Sequence, residues 1–163
     1  MLFTVNGTEL KLREAQVSDR QGVIDINRGI YGGCDYVPMA FTHWMSKPNQ
    51  HKCFVVTEQA KIVAFTAYSY YQHNDKTIYV QQGSRVRSDY SGLGVNGILS
   101  QFVKDEIEAT STRPYVVLSV TMLYFKWLGV EKDSMLLSKT AMYAQGSDNR
   151  RVLSTDLFLG EES

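Results

Sequence analysis

The stretch that most constrains the fold is Val86 to Gly97, where Gly92, Gly94 and Gly97 separate an extended run from a strongly periodic helical pattern. Glycine lets a chain turn with positive φ and approach a bulky group with no Cβ in the way. The first N–H groups of a helix have no intrahelical acceptor, and the positive end of the helix dipole adds to their pull on an anion. A turn of this kind is either a plain change of direction or a phosphate seat. The glycines spell Gly-x-Gly-x-x-Gly, but a dinucleotide fingerprint needs that string after an early strand of a repeated parallel unit, with an acidic residue about 20 positions on. A Walker loop is excluded, because no Gly-Lys-Ser/Thr follows.

The surroundings fix what the turn joins. Lys52 to Glu58, Ile62 to Tyr71 and Thr77 to Val86 read as three strands linked by turns at 59–61 and 73–75, an antiparallel meander. Beyond the glycines, Ile98, Leu99, Phe102, Val103 and Ile107 form the apolar stripe of a helix over Val95 to Glu108. Tyr115 to Val120 is a β-branched run suited to a strand buried on both faces. Strand, helix and strand in this order make a right-handed crossover, so the last strand is expected parallel to Thr77–Val86. The expected class is α/β (α+β): a mixed, mostly antiparallel sheet with helices on both faces.

Towards the N-terminus, Leu10 to Arg13 alternates as a first strand. Ser18 is placed to cap a helix carrying Val23, Ile24 and Ile26, with Gln21 reaching back to it. Tyr31 to Pro38 reads as a loop, and Pro38 opens a short helix with Phe41, Trp44 and Met45. With 163 residues and no repeat or linker, one domain over 1–163 is expected, its core at about 10–145 and residues 146–163 forming a poorly ordered tail.

Seventeen basic residues balance seventeen acidic ones, so no net field draws the chain to nucleic acid or to a membrane. The longest apolar runs fall short of a membrane span and no leader pattern opens the chain, which makes cytoplasmic the expected location. Cys34 and Cys53 fit neither a disulfide framework nor a zinc spacing, so no metal is expected.

The meander, Val86, and then Asp89-Tyr90-Ser91-Gly92-Leu93-Gly94-Val95 resemble the acetyl-CoA motif of the GNAT superfamily of N-acetyltransferases, Gln/Arg-x-x-Gly-x-Gly/Ala. Ser91 stands at its first position, Gly94 at its central glycine and Asn96 at its final small residue. The resemblance implies acetyl-CoA as co-substrate, held by Val86, Arg87, Ser91, Gly92, Leu93, Gly94, Val95, Asn96 and Gly97. Its pantetheine arm would lie in the splay between the strands ending at Val86 and at Val120. Ser91 lacks the side-chain pyrophosphate contact of Gln or Arg, and Asn96 is larger than the usual Gly or Ala, so weakened binding is the expectation.

Tyr31-Gly32-Gly33-Cys34-Asp35-Tyr36-Val37-Pro38, Trp44, and Val80-Gln81-Gln82-Gly83-Ser84-Arg85-Val86 are similar to the histidine N-acetyltransferase-like branch, which has Tyr-x-Gly-x-Asp-Tyr-Leu-Pro and Glu-Gly-Leu-Arg-Val there. The resemblance spans Leu12 to about Val103 and fades beyond Val120. It implies transfer of acetyl to the amine of a small molecule such as an amino acid. Gln82 stands where a glutamate is usual; it cannot take a proton as a base but can orient a water or an amine. Many relatives use a tyrosine in Tyr-x-x-x-Gly as the acid for the leaving thiolate; Phe125 to Gly129 has that spacing, leaving Tyr124 one residue early. Asp35 and Tyr36 are the candidate contacts to the substrate amine, although an aspartate in a glycine loop is also a common turn-former. Arg85 and Arg87 share a strand face and could approach the phosphates, the alternative being that one of them is simply solvated. His43 reads as a helix-surface residue, and His51 and His73 as turn residues without a role. The competing reading is a catalytically weakened relative that binds CoA as a sensor or interaction module, favoured by Ser91, Asn96 and Gln82.

Overall fold

A computed structural model describes residues 1–26, 35–73 and 76–111, and the strand backbones 115–121, 141–145 and 151–153. The strands are β1 (Leu2–Val5), β2 (Thr8–Glu14), β3 (His51–Glu58), β4 (Lys61–His73), β5 (Lys76–Val86), β6 (Tyr115–Thr121), β7 (Ala141–Gln145) and β8 (Arg151–Leu153). The helices are α1 (Arg20–Asp25), α2 (Val37–Ser46) and α3 (Val95–Thr110). All eight strands form one sheet in chain order. Every neighbouring pair is antiparallel except β5 and β6, which run parallel as the crossover requires. The mixed, mostly antiparallel sheet with helices on both faces is what the patterning predicts.

The two cores follow from strand alternation. On one face Val95, Leu99, Val103 and Ile107 of α3, four residues apart, lie at most 1% exposed against Leu10, Leu12, Phe54, Val56 and Tyr68. Each such side chain contributes about 1.5–3 kcal/mol by burial. On the other face α1 and α2 bring Val23, Val37, Phe41 and Trp44 onto Cys53, Val55, Phe65 and Ala67. The Trp44 ring stacks on Phe65 with centroids 6.1 Å apart.

Two local features depart from the sequence expectation. The first strand is preceded by another, β1, turned by Asn6 (φ 48°) and Gly7 (φ 79°), a pair of left-handed residues of the kind a two-residue hairpin demands. Ser18 does not cap α1: a 3-10 turn over Val17–Asp19 leads in, and Asp19, the residue before the helix, makes no side-chain bond to it but accepts from the Gln16 N–H at 2.7 Å and from the two terminal Arg13 nitrogens at 2.6 and 2.8 Å.

No described helix is long and apolar enough to cross a membrane.

Candidate functional site

The parallel ladder between β5 and β6 runs from Thr77↔Tyr115 to Gln81↔Ser119 and stops. Strand β5 continues for five residues to Val86, and β6 to Thr121. The two strands therefore part at Gln82, whose backbone on the β6 side has no ladder partner among the described residues. On the other side of β5 the register slips between Phe65 and Ala67, an irregularity of the kind that redirects side chains beside functional sites. Gly83, at φ 67°, completes the kink; a Cβ there would sit 3.2 Å from both Trp44 and Val37, so helix α2 can close onto β5 only over a glycine.

Beyond Val86 the chain makes a 3-10 turn over Ser88–Tyr90 and enters α3 through the glycines. Three contacts anchor this turn to the body: the Arg87 backbone N–H donates to the Val63 carbonyl at 2.9 Å, the Tyr90 hydroxyl donates to Glu58 Oε2 at 2.6 Å, and the Leu93 side chain packs on the α3 core. The bond to Glu58, with burial, pushes the Tyr90 phenol up to about 12, so it stays a donor. Gly94 is the residue before α3, at φ 79°, and gives the helix no side-chain cap. The first bond of the helix from this point is Ile98 N–H to the Gly94 carbonyl, 3.1 Å.

The space around the glycines is open. A Cβ added at Gly92, Gly94 or Gly97 would meet no protein atom within 4 Å. Positive φ accounts for Gly92 and Gly94. Neither φ nor packing accounts for Gly97, the third residue of α3, where alanine would make a better helix. Val86 and Val95 face the core, Val95 being 1% exposed, so they offer backbone rather than side chain; Ser91 and Asn96 are exposed. The Arg87 Nε donates to Asp89 Oδ1 and the Lys61 ammonium to Asp89 Oδ2, each at 3.1 Å, placing two cations beside the turn.

Asp35 is engaged on every side. Its Oδ1 accepts from the Val37 N–H at 3.0 Å and from Arg85 at 2.9 Å, and its Oδ2 from Arg85 at 2.5 Å. Burial raises the carboxyl's pKa, but the Arg85 bonds, the Val37 N–H and the Arg85 charge outweigh it and hold Asp35 below the usual carboxylate value. Arg85, its side chain 3% exposed, thus fastens the start of α2 to β5 instead of reaching for phosphates. Tyr36 meets Trp44 edge-on at 6.3 Å in the same corner.

The residue that pattern reasoning passed over is His51. It is no turn residue: it opens β3, is 6% exposed, and faces Ser69 directly across the β3–β4 ladder. Its Nδ1 lies 2.7 Å from Ser69 Oγ, and the Gln82 Nε2 donates to that same oxygen at 2.6 Å. Burial, with the charges of His43 and Lys47, holds the imidazole below its ordinary value. Beside it Cys53 is pushed by burial up to about 12, a thiol without thiolate character at neutral pH. On the opposite sheet face Gln81 donates to Thr66 at 3.2 Å and to Ser100 of α3 at 3.2 Å, tying the helix to the mouth of the splay. Among the described residues no group of three or more His, Cys, Asp or Glu is placed to hold a metal. Tyr124 and Tyr31–Cys34 lie outside the described residues.

No family model matches the chain. Two curated relatives are each called histidine N-acetyltransferase. The one from Scomber australasicus is 30% identical over 93 residues, covering 57% of this chain and 27% of the relative. The one from Oreochromis niloticus is 25% identical over 100 residues, covering 61% and 29%. This chain thus spans less than a third of their length. Among solved structures, glucosamine-6-phosphate N-acetyltransferase from Arabidopsis thaliana superposes at TM-score 0.58 with 19% identity, over 80% of this chain and 97% of that one. A predicted acetyltransferase with acetyl-CoA from Clostridium acetobutylicum gives 0.54 at 15% identity, over 80% and 96%. An acetyltransferase of the GNAT family from Desulfovibrio desulfuricans gives 0.57 at 12% identity, over 72% and 77%. The fold of this chain is the GNAT acetyltransferase fold.

Proposed function

We propose, from this acetyltransferase fold, that the chain transfers acetyl from acetyl-CoA to the amine of a small molecule. The observation that carries the reading is the coincidence of two openings: three glycines with empty space at the start of α3, and a parallel strand pair that parts at Gln82. The backbone N–H groups over Gly92–Gly97 would hold the diphosphate, helped by the helix dipole, with Arg87 and Lys61 adding positive charge beside it. Bound there, acetyl-CoA supplies an activated acyl carbon in the splay.

Gln82 meets the acceptor at that point. Its amide cannot take the amine's proton, so it orients the amine, or a water that carries the proton away. Asp35, already saturated by Arg85 and Val37, works by positioning: it holds Tyr36 and α2 over the substrate side of the sheet. Tyr124 remains the proposed acid for the leaving thiolate. An amino acid is the proposed acceptor class, and histidine is the first to try, because the curated relatives carry that name.

The test is calorimetry with acetyl-CoA, followed by thiol release against a panel of amino acids. Binding with turnover of at least one amine is the expected result. Binding with no thiol release above background would support a CoA-binding sensor instead, a reading favoured by the amide at Gln82, and absence of acetyl-CoA binding would remove both.

A further inference from the structure

We infer that His51, acting through the Ser69 hydroxyl, determines which end of the Gln82 amide is presented to the reacting amine; this rests on the acyl-transfer reading above. The argument is one of counting protons along a short buried chain. Gln82 Nε2 gives a hydrogen to Ser69 Oγ at 2.6 Å, and Ser69 Oγ lies 2.7 Å from His51 Nδ1. With the amide assigned its nitrogen towards Ser69, the hydroxyl's own proton goes to the histidine, which leaves Nδ1 bare and puts the ring proton on Nε2. The Gln82 oxygen Oε1 is then the free end of the amide. Among the described residues it has no hydrogen bond, and His51 Nε2 is there the one buried side-chain polar atom without a partner.

An acceptor at Oε1 suits an attacking amine. It takes an N–H from the nucleophile and leaves the nitrogen's lone pair for the acyl carbon. Protonating His51 reverses the chain. An imidazolium carries hydrogen on both nitrogens, so Nδ1 must donate to Ser69 Oγ. The Ser69 side chain is fully buried, and the acceptor within reach of its displaced proton is Oε1, after the Gln82 amide turns over. The amide then shows its NH2 to the splay, where it competes for the amine lone pair.

The groups facing His51 leave it neutral at physiological pH. His43 on α2 stands 5.4 Å away between ring centroids, Lys47 follows at the end of that helix, and Ser69 and Gln82 face it from β4 and β5. None is a carboxylate. Among the described residues no group placed there favours the imidazolium, and burial with the charges of His43 and Lys47 holds the titration below the ordinary histidine value of about 6.5. His51 is thus a positioning residue for Gln82.

Two measurements test this. Nitrogen-15 spectra of the imidazole need no turnover: they should show the proton on Nε2 at pH 7.5, and a proton on Nδ1 at that pH would overturn the inference. Kinetics then ask whether the chain matters. In the ratio of wild-type to H51N kcat/KM, measured with one amine from pH 5 to 8, the amine's own titration cancels. Asparagine offers an acceptor where Nδ1 stood and does not titrate, so the ratio is expected to fall severalfold on the acid side. Ser69→Ala should raise KM for the amine while leaving the acetyl-CoA Kd unchanged, which also confirms the fold. A ratio flat with pH, or an unchanged amine KM in S69A, would sink the proposal. If the wild-type protein binds acetyl-CoA without turnover, the acyl-transfer reading fails by itself and the spectra still decide the tautomer.

Discussion

Replacing Gly97 by alanine should make the protein more stable and a worse binder, a combination that few substitutions produce. Gly97 sits inside α3 with ordinary helical φ, and a Cβ there touches no protein atom. Alanine in a helix is favoured over glycine by roughly 0.5–1 kcal/mol, because it has less backbone freedom to lose. For a domain of this size that is a rise in Tm of about 1–4 °C. The same methyl occupies the space in which a phosphate oxygen would approach the Gly97 N–H at about 2.9 Å. A charge-assisted bond of this kind is worth about 1.5–3 kcal/mol, so losing it weakens acetyl-CoA binding by about 10- to 100-fold.

One thermal unfolding series with and without acetyl-CoA reads both effects. The stabilisation by a ligand grows as RT ln(1 + [L]/Kd), so the wild-type shift should shrink in the variant by about 1.4 kcal/mol for each tenfold loss of affinity. A higher Tm with an undiminished ligand shift would show that nothing binds against Gly97 and would break the link between its empty surroundings and a diphosphate. A lower Tm would refute the packing half of the argument.

Asp35→Asn strands the buried Arg85 guanidinium and should cost about 3–5 kcal/mol in chemical denaturation; a loss under 1 kcal/mol would mean that Arg85 finds another partner. The sign with pH follows from the same pair: because the folded Asp35 carboxyl lies below its ordinary value of about 3.9, its contribution is complete above that pH and is lost as pH falls through the folded value, so wild type and D35N should converge in stability in acid. Gln82→Glu places a carboxylate where the amine's proton must go and should raise kcat by about 10²-fold or more if proton acceptance limits the rate; a folded variant with no gain would show that the amide is not what slows the reaction.

The regular elements were legible because each rests on local periodicity. Val95, Leu99, Val103 and Ile107 declare α3 by spacing alone, and the meander from Lys52 to Val86 announces itself by β-branched runs with short turns. The parallel pairing of β5 and β6 followed from topology. One signal was present and unused: Asn6-Gly7 is a strong two-residue hairpin marker, and it alone could have disclosed β1. The absence of the expected Ser18 cap before α1 has a different cause. Ser18 fits a local capping rule, but Asp19 has a second partner, Arg13 on β2, and the tertiary bond decides which side chain faces the turn.

The site itself was half legible, and the division is physical. What depends on glycine stereochemistry, namely the open turn at Gly92 to Gly97 proposed as the diphosphate seat, is written locally, since a missing Cβ leaves the same opening wherever the fold places it. What depends on polar pairing across the sheet is not. Asp35 and Arg85 are fifty residues apart, and a loop aspartate gives no hint that its charge is already spent. His51 follows Lys47-Pro48-Asn49-Gln50, so local chemistry argues for a turn, while its partner is Ser69 on the neighbouring strand, and Ser69's next partner is Gln82 beyond. A departure such as glutamine for glutamate therefore cannot be weighed residue by residue. An isolated amide in place of a base means lost function, whereas an amide held by a buried serine and histidine has a defined acceptor end, and its effect on the chemistry turns on the protonation of a ring two strands away.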